Sequence, residues 1–432
     1  MTPEDLAPAA PLPAVGRTPP KGGREANLSS PSGREPLSSP SGGELLSSPS
    51  GGGGPRRGGG GPPPHPVAAS VADDARGIEL AWSDGLRETL PAAWLIDNGE
   101  DAFDGPTGQR RLGLGAVDPQ ARVQCGGLDA AGLTISLEGG AMLAVSRHRL
   151  LSRRRSPPAP ALWLEAAAIE TPDAISADAY LNDDEALAET AWRIARQGLA
   201  FLTGGLTEPG YVERIVARFG FIRETNYGRL FDVRSEPRPS NLAYTAEALD
   251  LHTDNPYRDP PPTLQLLHAI HADATGGATC FADGFAHAEA LARTAPEAFD
   301  RLARTPVEFA YRAPDGAVYR ARRPLIEQGP DGALVAVRLN HRSLAPLDLA
   351  DREIAPWYDA YRAFHNLLHA PLAALKVRLL PGDVVLFDNR RIVHGREAYD
   401  GGASTGRWLQ GCYADIDGLL ATLARLRPDG LA

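Results

Sequence analysis

The sequence predicts a mainly β protein with flanking helices, preceded by a small β-rich domain and a low-complexity tail, over 432 residues. Three observations predict this class. The richest stretch, Asn241 to Phe285, is centred on His252-Thr253-Asp254, which reads as extended strand. Two later runs, Val384-Val385-Leu386-Phe387 and RWLQGCYAD from Arg407, also read as strands. Helical spacing of apolar residues recurs in only three segments, none of which carries these residues.

In chain order, residues 1–75 come first and differ from all that follows. Leu28, Leu37 and Leu46 each begin the repeat LSSPSG, and Gly51–Gly54 and Gly58–Gly61 are glycine runs. Such a segment has too little apolar surface to offset the entropy of ordering, which predicts a disordered tail. A small β-rich domain is expected over 76–157. There IELAWSDGLRETLPAAWLIDNGED alternates about a turn at Ser83-Asp84-Gly85 as a hairpin would, with further strands at Ala121–Gln124 and Leu133–Leu137. The proline-rich, basic linker SRRRSPPAPA closes it near Pro157–Pro160 and opens the domain 158–432.

Two helices follow. Asn182 or Asp183 caps the first, which ends near Gly198 before a strand at Leu199–Thr203. Thr207 is expected to cap the second, with Pro209 in its first turn and Val212, Ile215, Val216 and Phe219 on one face. A third helix, Trp357 to His369, sets His365 and His369 four apart. That spacing can hold zinc, but HNLLH lacks the glutamate of the metalloprotease motif, so the pair reads as partly exposed helical histidines. His268 and His271 read as structural.

Composition excludes several function classes. The net charge of -10, from 44 basic and 54 acidic residues, argues against a nucleic-acid binder. Three scattered cysteines make neither a disulfide framework nor a thiolate zinc site. No apolar run is long enough for a membrane span and no signal-peptide pattern opens the chain, so the default is a soluble cytoplasmic protein.

Residues two apart on a strand share a face, so His252 and Asp254 can reach one metal ion. A histidine and a carboxylate are two thirds of the facial triad of non-haem Fe(II) oxygenases. The missing histidine should sit far downstream on a neighbouring strand, and His394 fits. The order HxD, then Gly276-Gly277-Ala278-Thr279, then His394, then Arg407 makes the pattern specific where HxD alone is weak.

The pieces NLAYT, LHTD, PPTLQLLH, GGATCFADGF, LPGDVVLFDNRRIVHGR and GRWLQGCYADIDGL together resemble the γ-butyrobetaine dioxygenases, within the taurine-dioxygenase-like Fe(II)/2-oxoglutarate oxygenases. The resemblance runs from near Glu79 to the C-terminus. It implies a double-stranded β-helix, or jelly-roll, with His252, Asp254 and His394 on iron. It implies Arg407, Thr279 and Leu267 around 2-oxoglutarate, the arginine clamping the distal carboxylate. An aromatic cage of Tyr227, Phe231, Tyr244 and Tyr413 would take a trimethylammonium group, with phenylalanine at Phe231 where some members have tryptophan. Asn241 would bind the substrate carboxylate, and Arg342 stands where a second asparagine is expected.

By resemblance the reaction is hydroxylation of γ-butyrobetaine to L-carnitine, releasing succinate and carbon dioxide, with ascorbate as reductant and a homodimeric enzyme. No nucleic acid or membrane partner is expected. A trimethyllysine dioxygenase, or another oxygenase of this superfamily acting on a small acidic or quaternary-ammonium substrate, is the alternative that Arg342 keeps open. A catalytically inactive module that binds 2-oxoglutarate or a betaine is a further one. Relatives bind zinc in the N-terminal domain through three cysteines and a histidine. Here GEDAFDGPTGQ after Asn98 has no cysteine, so no structural zinc is expected.

Overall fold

The computed structural model describes residues 64–154, 158–168, 174–235, 242–272, 275–400 and 406–427. The expected disordered tail falls mainly on 1–63, outside the described residues, as do Asn241 and part of the basic linker. Strand β1 (Pro66–Val71) nevertheless lies inside the stretch assigned to the tail, because it pairs along β2 (Gly77–Trp82). Strand structure is therefore present about ten residues before the boundary that composition suggests.

The small domain is two three-stranded antiparallel sheets. One holds β1, β2 and β3 (Arg87–Pro91), and the other β4 (Val123–Leu128), β5 (Gly132–Leu137) and β6 (Met142–Ser146). The hairpin turns where expected, with Gly85 at φ 88°. Its predicted continuation does not stay extended: Ala92–Asp97 is helix α1. Ala92 and Leu95 bury one face of that turn, a tertiary gain that alternation along the sequence conceals. Helix α2 (Arg147–Ser152) closes the domain over a core including Ile78, Leu80, Trp82, Leu133, Ile135 and Val145. After Asn98, Asp104 accepts from the N–H and hydroxyl of Thr107, and the Phe103 ring lies under the guanidinium of Arg149 at 3.3 Å. A turn and a cation–π contact thus order this loop.

The larger domain begins with β7 (Ile175–Ser176), α3 (Ala177–Asn182), α4 (Asp184–Gln197), β8 (Leu199–Thr203) and α5 (Tyr211–Val216). As expected, the Asp183 carboxylate accepts from two first-turn N–H groups of α4, and Gly198 at φ 86° ends it. Thr207 does not cap α5; Gly210 at φ 86° does, so the helix starts later and Phe219 is buried beyond its end. Next come β9 (Phe231–Arg234), β10 (Leu249–His252), β11 (Leu264–Ala272) and β12 (Thr279–Asp283). Helices α6 (Gly284–Thr294) and α7 (Pro296–Arg304) lead to two hairpins, β13 (Val307–Arg312) with β14 (Val318–Arg323) and β15 (Ile326–Gln328) with β16 (Leu334–Val337). Helix α8 (Asp351–Leu368) begins six residues before its predicted start and carries Pro356 in its interior. The chain finishes with β17 (Leu375–Val377), β18 (Val384–Asp388), β19 (Ile392–Arg396), β20 (Arg407–Ala414) and α9 (Ile416–Leu426).

Two sheets make the double-stranded β-helix: β7-β8-β18-β11-β20-β9 and β10-β19-β12-β17. Strand alternation assigns their faces. On β18, Val385 and Phe387 point between the sheets, where they join Leu267, Phe281, Ile392 and Leu409. Val384 and Leu386 point outward under α3, α4, α5 and α9. Helices α6, α7 and α8 cover the outer side of the smaller sheet around Ala282, Val393, Trp357 and Phe364. Asp283 and Arg391 fix the junction through a buried bidentate ion pair at 2.7 and 3.1 Å.

Candidate active site

Strands β10 and β19 run antiparallel, and His252 stands opposite His394 in their register. The ladder thus joins two residues that the sequence keeps far apart. The strand reading of HxD holds only in part, since β10 stops at His252 and Asp254 lies beyond it. Asn389 positions Asp254 instead. Its Oδ1 accepts from the Asp254 N–H at 2.8 Å and its Nδ2 donates to the Asp254 carbonyl at 3.0 Å. Asn255 follows at φ 53°, a conformation asparagine tolerates better than most residues.

His252 Nε2 is 3.4 Å from Asp254 Oδ1, and His394 Nε2 is 3.9 Å from Asp254 Oδ2. The three donor atoms all lie within 4.8 Å of one another. His252 Nδ1 donates to the Asp250 carbonyl at 2.7 Å, which leaves the Nε2 lone pair facing the other two. Asp254 Oδ2 accepts from Gln265 Nε2 at 2.9 Å and from the Tyr413 hydroxyl at 2.8 Å. Burial raises the Asp254 carboxyl, but the His252 contact and the charges of both histidines hold it well below the usual carboxylate range. Burial, assisted by the charge of His252, takes His394 down to about 3. An ionised carboxylate and a neutral imidazole are the forms that bind metal.

These residues open onto a cavity of about 270 Å³, whose wall also includes Tyr227, Phe231, Tyr244, Leu267, Thr279, Arg342, Arg407 and Tyr413. Every described residue expected at the site therefore reaches one cavity. Arg407 is 9% exposed, and its Nη2 lies 3.5 Å from Thr279 Oγ1. Its Nη1 has no hydrogen-bond partner among the described residues, and its guanidinium carbon lies 5.5 Å from the centre of the Tyr399 ring. Burial and the nearby Arg396 lower its pKa to about 10, so it remains a cation. A buried guanidinium without a counter-charge is costly and fits an anionic ligand. The glycine pair explains how it fits: a Cβ on Gly277, at φ 69°, would come within 3.2 Å of Arg407 Cδ and 3.0 Å of Tyr399 Cβ.

Phe231 stacks on Tyr413 with centroids 4.9 Å apart, and Tyr227 lies 6.4 Å from Phe231. Phe231 packs onto Gly411, where a Cβ would approach its ring to 2.5 Å. Among the residues missed by sequence reasoning, Tyr257, Gln265, Tyr311 and Asn340 share the wall. Tyr257 and Tyr311 stack at 5.0 Å and extend the aromatic side. Asn340 donates to the Thr253 carbonyl at 3.1 Å, while its Oδ1 is buried with no partner among the described residues. The RLNHRS stretch thus offers an amide as well as Arg342. Asn340 is the N-cap residue of the short 3-10 turn His341–Ser343 and its partner is on another element, which leaves no signal in sequence spacing.

Two imidazoles and a carboxylate, with the rest of the coordination sphere facing a cavity, suit a ferrous ion. Buried Arg407 beside Thr279, its Nη1 without a partner among the described residues, suits the distal carboxylate of 2-oxoglutarate.

Residues 158–413 match the family described as taurine catabolism dioxygenase TauD, TfdA family. The γ-butyrobetaine dioxygenase of Pseudomonas sp. (strain AK-1) is 35% identical over 373 residues, covering 83% of this chain and 96% of the relative. The human γ-butyrobetaine dioxygenase is 29% identical, with the same two coverages of 83% and 96%. The mitochondrial trimethyllysine dioxygenase of Gallus gallus is 30% identical over 84% of this chain and 89% of that protein. With its His-Asp-His site and its buried Arg407, the chain belongs to the TauD, TfdA family and is a dioxygenase that uses Fe(II) and 2-oxoglutarate.

Proposed function

We propose that the chain hydroxylates γ-butyrobetaine to L-carnitine while 2-oxoglutarate and dioxygen become succinate and carbon dioxide. The observation that carries this reading is the composition of the cavity wall: aromatic rings and arginines meet beside the His-Asp-His site. A quaternary ammonium group donates no hydrogen bond, so ring faces are its partner, at about 2 kcal/mol or more for a desolvated ring. An attached carboxylate needs a cation. The curated relatives named γ-butyrobetaine dioxygenase align along most of the chain and support the same substrate.

In this reading His252, Asp254 and His394 would hold the iron, which when bound would supply the activation of dioxygen coupled to loss of the 2-oxoglutarate carboxyl group. Arg407 and Thr279 clamp the cosubstrate's distal carboxylate, with Leu267 against its carbon chain. Tyr227, Phe231, Tyr244 and Tyr413 enclose the trimethylammonium group. Arg342, with Asn241, would take the substrate carboxylate, so that both ends of the substrate are fixed beside the His-Asp-His site. Catalysis by the protein is then mainly positioning. The family resemblance adds ascorbate as reductant, a homodimer and a cytoplasmic location. Among the described residues, no helix is long and apolar enough to cross a membrane.

The test is turnover with Fe(II), ascorbate and 2-oxoglutarate against a panel of betaines that includes trimethyllysine, following succinate and hydroxylated product. Coupled formation of L-carnitine is expected to dominate; preference for trimethyllysine, or succinate without hydroxylated betaine, overturns the substrate. A charge-assisted bond to the substrate is worth about 1.5–3 kcal/mol, so Arg342→Ala should raise KM for γ-butyrobetaine about ten- to a hundredfold. The KM for 2-oxoglutarate should stay unchanged. An effect on 2-oxoglutarate alone would move Arg342 to the cosubstrate.

A further inference from the structure

The histidines of HNLLH are not isolated. His365 lies in the last turn of α8 and His369 is its C-cap, and both reach back to Asp250 on β10. His365 Nε2 is 3.1 Å from Asp250 Oδ2 and His369 Nε2 is 2.5 Å from Asp250 Oδ1. The three donor atoms lie within 4.8 Å of one another, as in the active site. We propose that Asp250, His365 and His369 form a second metal site, separate from the iron site, for one divalent ion of the zinc class.

Three features besides proximity support this. First, His369 Nδ1 lies 2.9 Å from the His365 carbonyl, which can only accept, so the ring's Nε2 is the nitrogen left for a metal. Second, the rings are held before any ion arrives: His365 and His369 stack at 3.9 Å, with Tyr361 stacked on His365 at 6.4 Å. Third, the C-terminal end of an 18-residue helix favours positive charge. Imidazole pairs select zinc-class ions over magnesium or calcium, which take oxygen ligands. The side chains of His365 and His369 remain about one-third exposed, at 33% and 34%, so solvent can complete the coordination.

Such an ion would tie α8 to the strand that ends in His252, whose Nδ1 already bonds to the Asp250 carbonyl. The missing thiolates after Asn98 concern the N-terminal domain alone; this site lies on the catalytic domain.

The probe is Co(II), read by its visible absorption and by metal content after dialysis against a weak chelator. Wild type should retain two equivalents and His365→Ala/His369→Ala one, whatever the rate of turnover. Asp254→Ala/His394→Ala should retain one, and adding the helix substitutions should remove it. Zn(II) should raise the melting temperature of Asp254→Ala/His394→Ala only while His365 and His369 are present. One equivalent in wild type with none left after Asp254→Ala/His394→Ala overturns the site. So does unchanged Co(II) retention in His365→Ala/His369→Ala, which remains readable if Asp254→Ala/His394→Ala does not fold.

Discussion

Tyr413 serves the cavity through two parts of one side chain. Its ring stacks on Phe231, and its hydroxyl donates to Asp254 Oδ2 at 2.8 Å. The Tyr413→Phe substitution separates these roles. Loss of an outer hydrogen bond to a metal ligand typically costs ten- to a hundredfold in metal affinity, so Fe(II) dependence should shift by about that factor. The KM for the betaine should move far less, because the ring remains. Iron titrations that leave the Fe(II) requirement unchanged would show that Gln265 alone suffices to orient Asp254. At this scale the legible residues were those whose chemistry survives as spacing: His252, Asp254, His394 and Arg407. Gln265, Asn340 and Asn389 were not legible, since each acts through a partner brought near only by the ladders. Asp250 was hidden for the same reason, although its two histidines were in view.

Among the elements, the turn before β12 decides whether Arg407 can be buried. Gly276 and Gly277 both adopt positive φ, at 84° and 69°, and the second packs directly on Arg407 and Tyr399. Gly277→Ala adds both backbone strain and a Cβ in that contact. It should raise KM for 2-oxoglutarate about tenfold or more, with the KM for γ-butyrobetaine little altered, in steady-state kinetics with each substrate varied. Equal effects on both substrates would instead mean that the whole cavity had shifted. Helix α4 was legible because its punctuation is local: an aspartate accepts first-turn N–H groups and a glycine takes the left-handed position at the end. Helix α1 has no signal in the alternating pattern because burial of Ala92 and Leu95 decides it, and α5 starts later than its local cues suggest because Gly210 takes the left-handed position before it. The strand at HxD was overextended because Asn389, from a distant turn, ends it.

For the whole molecule, the position of β1 makes a prediction that composition alone would reverse. Its pairing with β2 covers one side of a core containing Ile78, Leu80 and Trp82. Removing residues 1–75 should therefore lower the melting temperature by several degrees relative to removing 1–63, since β2 becomes an edge and β1's packing is lost. Equal melting temperatures by calorimetry would return β1 to the tail. The two-sheet architecture also bears on how such an enzyme can vary in length. The iron-site histidines face each other across β10 and β19 in one sheet, whereas Arg407 begins β20 in the other. A single residue inserted within β10 or β19 would turn its histidine to the opposite face. The chain beyond β19 stays tied to the glycine turn, since Gly276 bridges Tyr399 and the Gly277 N–H donates to the Ala398 carbonyl. Insertions and deletions are thus excluded where the metal is gripped and also along 397–400, where the chain leaving His394 holds the turn that buries the cosubstrate's arginine.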